Sequence, residues 1–477
     1  VDLIAPGAAE DRVAVAAGAQ HLTYGELRRL VRAAIAYFRQ AGVGPSSRIA
    51  IGAGSNRDGQ SLDNWIAHLA IMAIGATHAS VGSGQGLARL IQARLVKILI
   101  GPARPGEPVP KPLRLIPFRA ALLAPVRGDD PITLHPRAVR LNMSSGTTGT
   151  PKRVEWDSAM IEQRLAQAGE FVTGDTKLFD FLSMTTTAGF RYPLATWRAG
   201  GTVLFYPQGD EKGLRRTIER SNLFVCSPDE LSHRLKKNDG PWLGREDRTI
   251  MVLGARLPTA VRDAALQDVG REIVISYGST EGGSVASGSS DLLDRHPGAV
   301  GFVREGVTVR VADDRGVECP PGVAGELAIQ GPAVCRAAYR GSGKGDRWFY
   351  PGDLAVLHED GLLAIEGRVS ETLNLGGTKH NAAAMETRLL KIEGIDDAAV
   401  CVVSTTSSDH GVVALVCEAS VDVEAIRPAI TEAVTLRDFE IIRIEKLPRN
   451  SMGKIVRHDL GRQLKPAIEA LGARQDA

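Results

Sequence analysis

The sequence predicts an α/β protein of more than one unit, and three observations carry that expectation. Strand-like and helix-like patterns alternate through most of the chain. At 477 residues the chain is longer than one hydrophobic core organises. From Val300 the texture changes to short alternating strands with Gly, Pro and Asp turns, and after Gly367-Arg368 the helix and strand alternation resumes. The expected architecture is a large N-terminal domain of α/β layers over 1–368, with a β-rich subdomain at about 300–368, and a small C-terminal α+β domain over 369–477. The boundary falls near Val369 to Thr372.

In chain order, a loose start leads to Thr23-Tyr24-Gly25-Glu26, a capping-box pattern, followed by Leu27, Leu30, Val31, Ala34, Ile35 and Phe38 at helical spacing up to Gly42. Arg48 to Ile51 reads as a buried strand, Leu62 to Ile74 as an apolar helix and Val96 to Ile100 as a second strand. Gly82-Ser83-Gly84-Gln85-Gly86 misses the dinucleotide spacing and reads as a turn. Pro102 to Pro136, rich in proline and arginine, reads as an irregular connection. Beyond it come a helix at Met160 to Phe171 and strands at Leu178 to Met184 and Thr202 to Tyr206. Strands at Thr249 to Leu253 and Glu272 to Ile275 then flank a helix around Ala260 to Val269. The β-rich stretch holds strands at Val307 to Val311, Glu326 to Ile329, Leu354 to Leu357 and Leu362 to Glu366.

Composition narrows the class. A hydrophobic fraction of 43% with 23% charged residues is that of an ordinary globular protein. A net charge of +2, without dense Lys/Arg runs, argues against nucleic-acid or membrane-surface partners. Cys226, Cys319, Cys335, Cys401 and Cys417 stand singly, without zinc-site spacing or a disulfide framework, which suits a reducing cytosol. With no secretory leader pattern and no spanning apolar run, the expected location is cytoplasmic.

Chemistry concentrates in five stretches. Leu141 to Val154 reads LNMSSGTTGTPKRV: Ser145, Gly146, Thr147, Thr148 and Gly149 offer hydroxyls and unobstructed backbone N–H donors, and Lys152 adds a cation, as a phosphate cradle requires. Pro151 and Arg153 exclude the ordinary nucleotide-hydrolase P-loop. The segment 276–283, SYGSTEGG, supplies Tyr277 as an aromatic face and Glu281 as a carboxylate able to hold magnesium, although a Gly-rich turn reads equally from it. Asp353 in YPGDL can accept both hydroxyls of a ribose or merely occupy a turn. Arg368 is a fixed cation or a surface salt-bridge partner. Lys454 lies on a glycine turn in LPRNSMGKIVR near the C-terminal end of the sequence, where a nucleic-acid or protein contact is the alternative reading.

Together, SSGTTGTPK, YGSTEGG, YPGDL, EGRVSETLNLGGTKHN and LPRNSMGKIVR, in that order and with the LTYGEL start, resemble the motifs of the adenylate-forming superfamily. That superfamily includes acyl-CoA synthetases, peptide-synthetase adenylation domains and luciferase. The resemblance implies ATP-dependent conversion of a carboxylic acid to acyl-AMP and pyrophosphate, followed by thioester formation with CoA. It implies Thr147, Thr148 and Lys152 on the β- and γ-phosphates, Thr280 on the α-phosphate, Glu281 on Mg²⁺ and Lys454 as the catalytic lysine bridging carboxylate and α-phosphate. By the same resemblance Tyr277 and Gly278 pack on adenine beside Gly254, Ala255 and Arg256, and Asp353 and Arg368 hold the ribose. A mobile C-terminal domain would turn about Ser370, with Gly376 and Gly377 lining the passage of the thiol.

Several positions depart from the family pattern. Pro351, Arg153, Ser370, Ala382 and Ala384 replace its usual residues, which touches the thiolation face more than the ATP set. The acceptor is therefore CoA or, alternatively, the phosphopantetheine of a carrier protein; a nucleotide-binding relative with impaired catalysis is the reading from another class. For the acid, Thr186, Thr187, Gly189, Leu253 and Gly278 are the expected pocket residues. Ala188 stands where an amino-acid-activating relative has aspartate, so an α-ammonium would lack a counter-charge and a non-amino acid is expected. Leu253 stands where many acyl-CoA synthetases have a glycine lining the acyl pocket, so a compact pocket for a short or aromatic acid is expected. Leu253 reads equally as pocket wall and as core.

Overall fold

The computed structural model describes residues 1–17, 20–52, 62–101, 110–144, 152–206, 211–237, 241–296, 298–340, 347–369, 372–375, 378–404, 409–434, 439–449 and 455–475. The chain forms two compact units: Val1–Ser290 with Arg304–Val307 and Gln330–Phe349, and Asp291–Val303 with Thr308–Ile329 and Tyr350–Ala477.

Two sheets with helices form the first unit. One runs in the order Arg114–Pro117, Ile98–Gly101, Arg48–Gly52, Thr77–Val81, Val139–Ser144 and Lys152–Asp157. Its strands are parallel except the last, which pairs antiparallel with Val139–Ser144 to make a hairpin across 145–151. In the other sheet the order is Gly283–Ser289, Glu272–Ser279, Thr249–Leu253, Leu223–Cys226, Lys177–Asp180, Thr202–Phe205, Val13–Ala17 and Gln20–Thr23. From Glu272–Ser279 to Val13–Ala17 every pairing is parallel. Parallel strands need covering on both faces, which is why they read as continuous apolar runs: Leu223, Phe224, Val225 and Cys226 are all buried. The helix Tyr24–Gln40 begins on the expected capping box, with Thr23 and Glu26 satisfying each other's backbone N–H groups.

In the second unit Thr308–Ala312, Gly325–Gln330, Asp353–Leu357, Leu362–Arg368 and Ala299–Val303 lie side by side in that order. Asp397–Ser404 pairs antiparallel with Asp409–Val416, and Glu440–Arg443 adds a parallel third strand. Alternation divides the faces of this small sheet. Val400, Val413 and Leu415 pack with the helices Ala382–Leu389 and Val423–Val434, whereas Cys401, Val412 and Ala414 pack with Leu460, Leu464 and Ile468 of Arg457–Gln475.

The α/β class is as the sequence predicts, and four of the differences in its elements have a clear local cause. Gly82 to Gly86 is not a turn: the Ser83 hydroxyl accepts from Gly86 N–H and caps a helix, Gly84–Gln92, anchored by buried Leu90. The proline-rich connection holds a strand, Arg114–Pro117, because Ile98–Gly101 offers it a parallel edge. The loose start contains Val13–Ala17, whose partner Thr202–Phe205 is remote in sequence. Finally, the strand expected over Leu178 to Met184 stops at Asp180, whose carboxylate accepts from Leu182 N–H and turns the chain.

Candidate active site

Gly254 to Arg256, Tyr277 to Glu281 and the acid segment lie at the carboxyl ends of the larger parallel sheet of the first unit. Thr249–Leu253 and Glu272–Ser279 are neighbours in register, Leu253 beside Ser276, so Gly254, Ala255 and Arg256 leave the sheet next to Tyr277 and Gly278. The segment 181–187 follows the strand Lys177–Asp180 on the same side of that sheet. Loops beyond strand ends are where open parallel sheets bind ligands.

Tyr277 to Glu281 is shaped by a tight hairpin. The pairing of Glu272–Ser279 with Gly283–Ser289 slips between Tyr277 and Gly278, a bulge that re-aims the strand end. A side chain at Gly278 would put its Cβ 2.1 Å from the Gly283 carbonyl oxygen, so glycine is the residue this approach admits. Gly282 N–H donates to Ser279 Oγ at 2.8 Å and closes the turn. Tyr277, Thr280 and Glu281 are all half-buried.

Two buried residues that the sequence reading did not single out tie this hairpin to the one carrying the Ser/Thr/Gly loop. Trp156, in Lys152–Asp157, donates its indole N–H to Thr280 O at 3.2 Å. Arg164, in the helix Ser158–Gly169, lies over the Trp156 ring at 4.1 Å and donates from Nη2 to Glu281 O at 3.2 Å and Ala333 O at 2.9 Å. Cys335 N–H gives Glu281 O a second donor at 2.8 Å. Burial pushes the Arg164 guanidinium down to about 10. The one available signal was Arg164 itself, a charge on the apolar stripe formed by Met160, Ile161, Leu165 and Ala168.

The backbone carbonyl of Glu281 is thus held from two sides, while its carboxylate has no hydrogen-bond or ion-pair partner among the described residues. A single anchored carboxylate fits magnesium, which takes one or two protein carboxylates and fills its octahedron with water and phosphate oxygens. Lys152 opens its strand opposite Ser144. Ser145, Gly146, Thr147, Thr148 and Gly149 lie outside the described residues, as do Ser370, Gly376, Gly377 and Lys454.

The expected acid segment turns sharply into the helix Thr187–Ala199. Thr186 is its N-cap, accepting from Gly189 N–H at 3.0 Å and donating to Ser183 O at 2.8 Å. A Cβ on Gly189 would fall 2.2 Å from Ser183 O and 2.4 Å from Leu182 O, so the cap seats on those carbonyls only with glycine there. Ala188 is buried, and Leu253 belongs to the main hydrophobic cluster with Met251 and Val225, which places it in the core. Asp180 carries a carboxyl that burial raises to about 8, beside Arg191.

In the second unit Asp353 and Arg368 face each other across paired strands and form a salt bridge of 2.8 Å. Arg368 also donates to Pro351 O at 2.9 Å, which fixes the fork of the guanidinium against the carboxylate.

A strand hairpin joined through Trp156 and Arg164 to the carboxyl end of a parallel sheet is the kind of place where open α/β folds bind ligands. Comparison with known proteins makes the class specific. The model of the AMP-binding enzyme family matches residues 110–339. The mitochondrial malonate–CoA ligase of Homo sapiens is 31% identical over 378 residues, covering 68% of this chain and 65% of that protein. Surfactin synthase subunit 1 of Bacillus subtilis is 23% identical over 498 residues, covering 97% of this chain, and the chain spans 13% of its length. ATP-bound MatB from Rhodopseudomonas palustris shares the fold, with a TM-score of 0.78 at 22% identity and 96% of each chain covered. Over residues 110–339 the chain matches the AMP-binding enzyme family, and in sequence it is similar to an acid–CoA ligase.

Proposed function

We propose that this protein activates a carboxylic acid with ATP and then transfers the acyl group to a thiol, CoA in the first instance. The observation that carries the reading is the lock between the two hairpins: Trp156 and Arg164 fix the Thr280–Glu281 backbone to the strand pair whose loop has the composition of a phosphate cradle. A carboxylate oxygen attacks the α-phosphorus, the bond to the β-phosphate breaks, and pyrophosphate leaves with the electron pair. The thiolate sulfur then attacks the acyl carbon and AMP departs.

Because two anions meet in the first step, positioned charge is what the protein must supply. Lys152, Thr147 and Thr148 hold the β- and γ-phosphates, and Thr280 the α-phosphate. Glu281 takes Mg²⁺, which when bound neutralises phosphate charge. Tyr277 packs on adenine beside Gly254 to Arg256, while the paired Asp353 and Arg368 present a rigid edge to the ribose. Lys454, on a C-terminal domain beginning after Arg368, bridges the carboxylate and the α-phosphate. The acid lacks an α-ammonium, since Ala188 is buried and brings no counter-charge; short and aromatic acids are the first to test. Two relatives whose names carry CoA or ATP, the human malonate–CoA ligase and the ATP-bound MatB, support this reading.

The test is ATP–pyrophosphate exchange across a panel of short, aromatic and long-chain acids. Exchange with at least one short or aromatic acid is expected, as is its loss in Lys454→Ala with thiolysis of supplied acyl-AMP retained. Undiminished exchange in Lys454→Ala overturns the role of that lysine, and no exchange with any acid overturns the activity. Presenting the activated acid to CoA and to a carrier-bound phosphopantetheine separately decides the acceptor.

A further inference from the structure

A polar cluster lies in the core of the first unit, behind the acid segment. Arg140, on Val139–Ser144, is 1% exposed and pairs in register with His78 of Thr77–Val81. Its Nε donates to Asn142 Oδ1 at 3.1 Å, one Nη to Ser80 Oγ at 3.1 Å, and the other to the Met184 carbonyl at 2.5 Å. The guanidinium carbon lies over Phe190, 3.5 Å from the ring centroid. No carboxylate is within ion-pair reach of it among the described residues, and burial alone pushes it down to about 9.

Behind Arg140 stands a chain of fixed partners. Ser80 Oγ, accepting from Arg140, has its own hydrogen to place, and His68 Nε2 lies 2.9 Å away. His68 Nδ1 in turn lies within hydrogen-bond distance of His78 Nδ1, also at 2.9 Å. Both imidazoles are fully buried and held well below their ordinary range by that burial and by neighbouring positive charge, so they stay neutral. Asn142 Nδ2 and His78 Nε2 are buried without a partner among the described residues.

An unpaired buried cation is costly, and apolar residues of similar volume fill such a site more stably. What a leucine or methionine cannot do is hold Met184 O and Phe190 from a strand that is fixed at both edges. Met184 precedes the Thr186 cap, and Phe190 is in the first turn of the helix that the cap begins. We propose that Arg140 is a positioning residue for acid binding, setting the 182–190 segment on the strand that enters the Ser/Thr/Gly loop. The inference rests on the acid-activating reading above. It adds a residue outside every motif, and one that acts through Met184 and Phe190 rather than by touching the acid.

The experiment compares wild type, Arg140→Lys, Arg140→Met and Ser80→Ala in pyrophosphate exchange with the best acid of the panel, measuring KM for acid, KM for ATP, kcat and Tm. Losing a charge-assisted hydrogen bond to the segment should raise the acid KM about tenfold or more in both Arg140 variants, with the ATP KM within about twofold. Lysine keeps the charge but cannot reach Met184, Ser80 and Asn142 together, so it should not rescue. Ser80→Ala, which removes one brace and leaves Arg140 in place, should raise the acid KM by a smaller factor and covers the case in which Arg140→Met does not fold. A structural role alone would lower Tm and leave both KM values unmoved. Unchanged acid KM in Arg140→Lys and Ser80→Ala, or equal shifts for acid and ATP, overturns the proposal, whereas absence of exchange in wild type overturns the activity instead.

Discussion

Arg164→Met is the most informative single perturbation of the lock between the hairpins. The guanidinium makes two charge-assisted bonds to backbone carbonyls, but the two carbonyls differ in what they lose. Glu281 O keeps its bond from Cys335 N–H, whereas Ala333 O loses the donor that Arg164 supplies. A hydrogen bond to a charged group contributes about 1.5–3 kcal/mol. The desolvated stack on Trp156 at 4.1 Å adds up to about 2 kcal/mol. Against this, methionine removes a buried charge already disfavoured enough to lower the guanidinium to about 10. The net expectation is a loss of about 2–4 kcal/mol, read by urea unfolding monitored through tryptophan fluorescence. The second readout is functional: with the Glu281 backbone held from one side, the Mg²⁺ concentration for half-maximal pyrophosphate exchange should rise several-fold. Unchanged stability together with unchanged Mg²⁺ dependence would falsify the lock.

Gly189→Ala drives a Cβ into two backbone carbonyls at 2.2 and 2.4 Å, neither of which can rotate away, so the start of the helix must shift. The acid KM should rise at least tenfold, by a displacement whose cost resembles other overpacking; a variant with parental kinetics refutes the close seating. Asp180→Asn tests a buried carboxyl. With its folded value raised to about 8, Asp180 stays protonated while the unfolded chain ionises near about 4, so its contribution to stability is complete below the unfolded value. That contribution falls as pH rises and levels off above the folded value. The advantage of Asp180→Asn in thermal unfolding should therefore grow across that window, since asparagine Oδ1 can still accept from Leu182 N–H, and parallel pH profiles for the two proteins count against it.

The fold was legible where side chains alone decide an element. Leu62–Ile74 is apolar nearly all round and could only be a buried helix, and Thr249–Leu253 is an uninterrupted strand bounded by Arg248 and Gly254. It was illegible where a partner decides. Val13–Ala17 is a run of small residues that becomes a strand because Thr202–Phe205 lies ready to pair with it. Arg114–Pro117 depends in the same way on Ile98–Gly101. The Gly-rich run at 82–86 misled for a local reason: one serine hydroxyl at the right place makes a helix start of a sequence whose glycines read as a turn.

The candidate site divides along a similar line. Glycines, hydroxyls and carboxylates in order along the chain announce a chemistry, because few other roles need those residue types at that spacing. The residues that hold them do not, since Trp156, Arg164 and Arg140 are scattered singly and their partners are mostly backbone carbonyls, which no sequence pattern displays. What the three share is an atypical burial: a charge or a large indole in the interior, with its polar atoms aimed at the segment it braces. A backbone carbonyl gives such a donor direction but no charge to neutralise it, so the arginines remain costly to bury. Their position is then best explained by the geometry they impose, and a hydrophobic replacement that improved stability while spoiling acid or magnesium dependence would be the expected signature of that exchange.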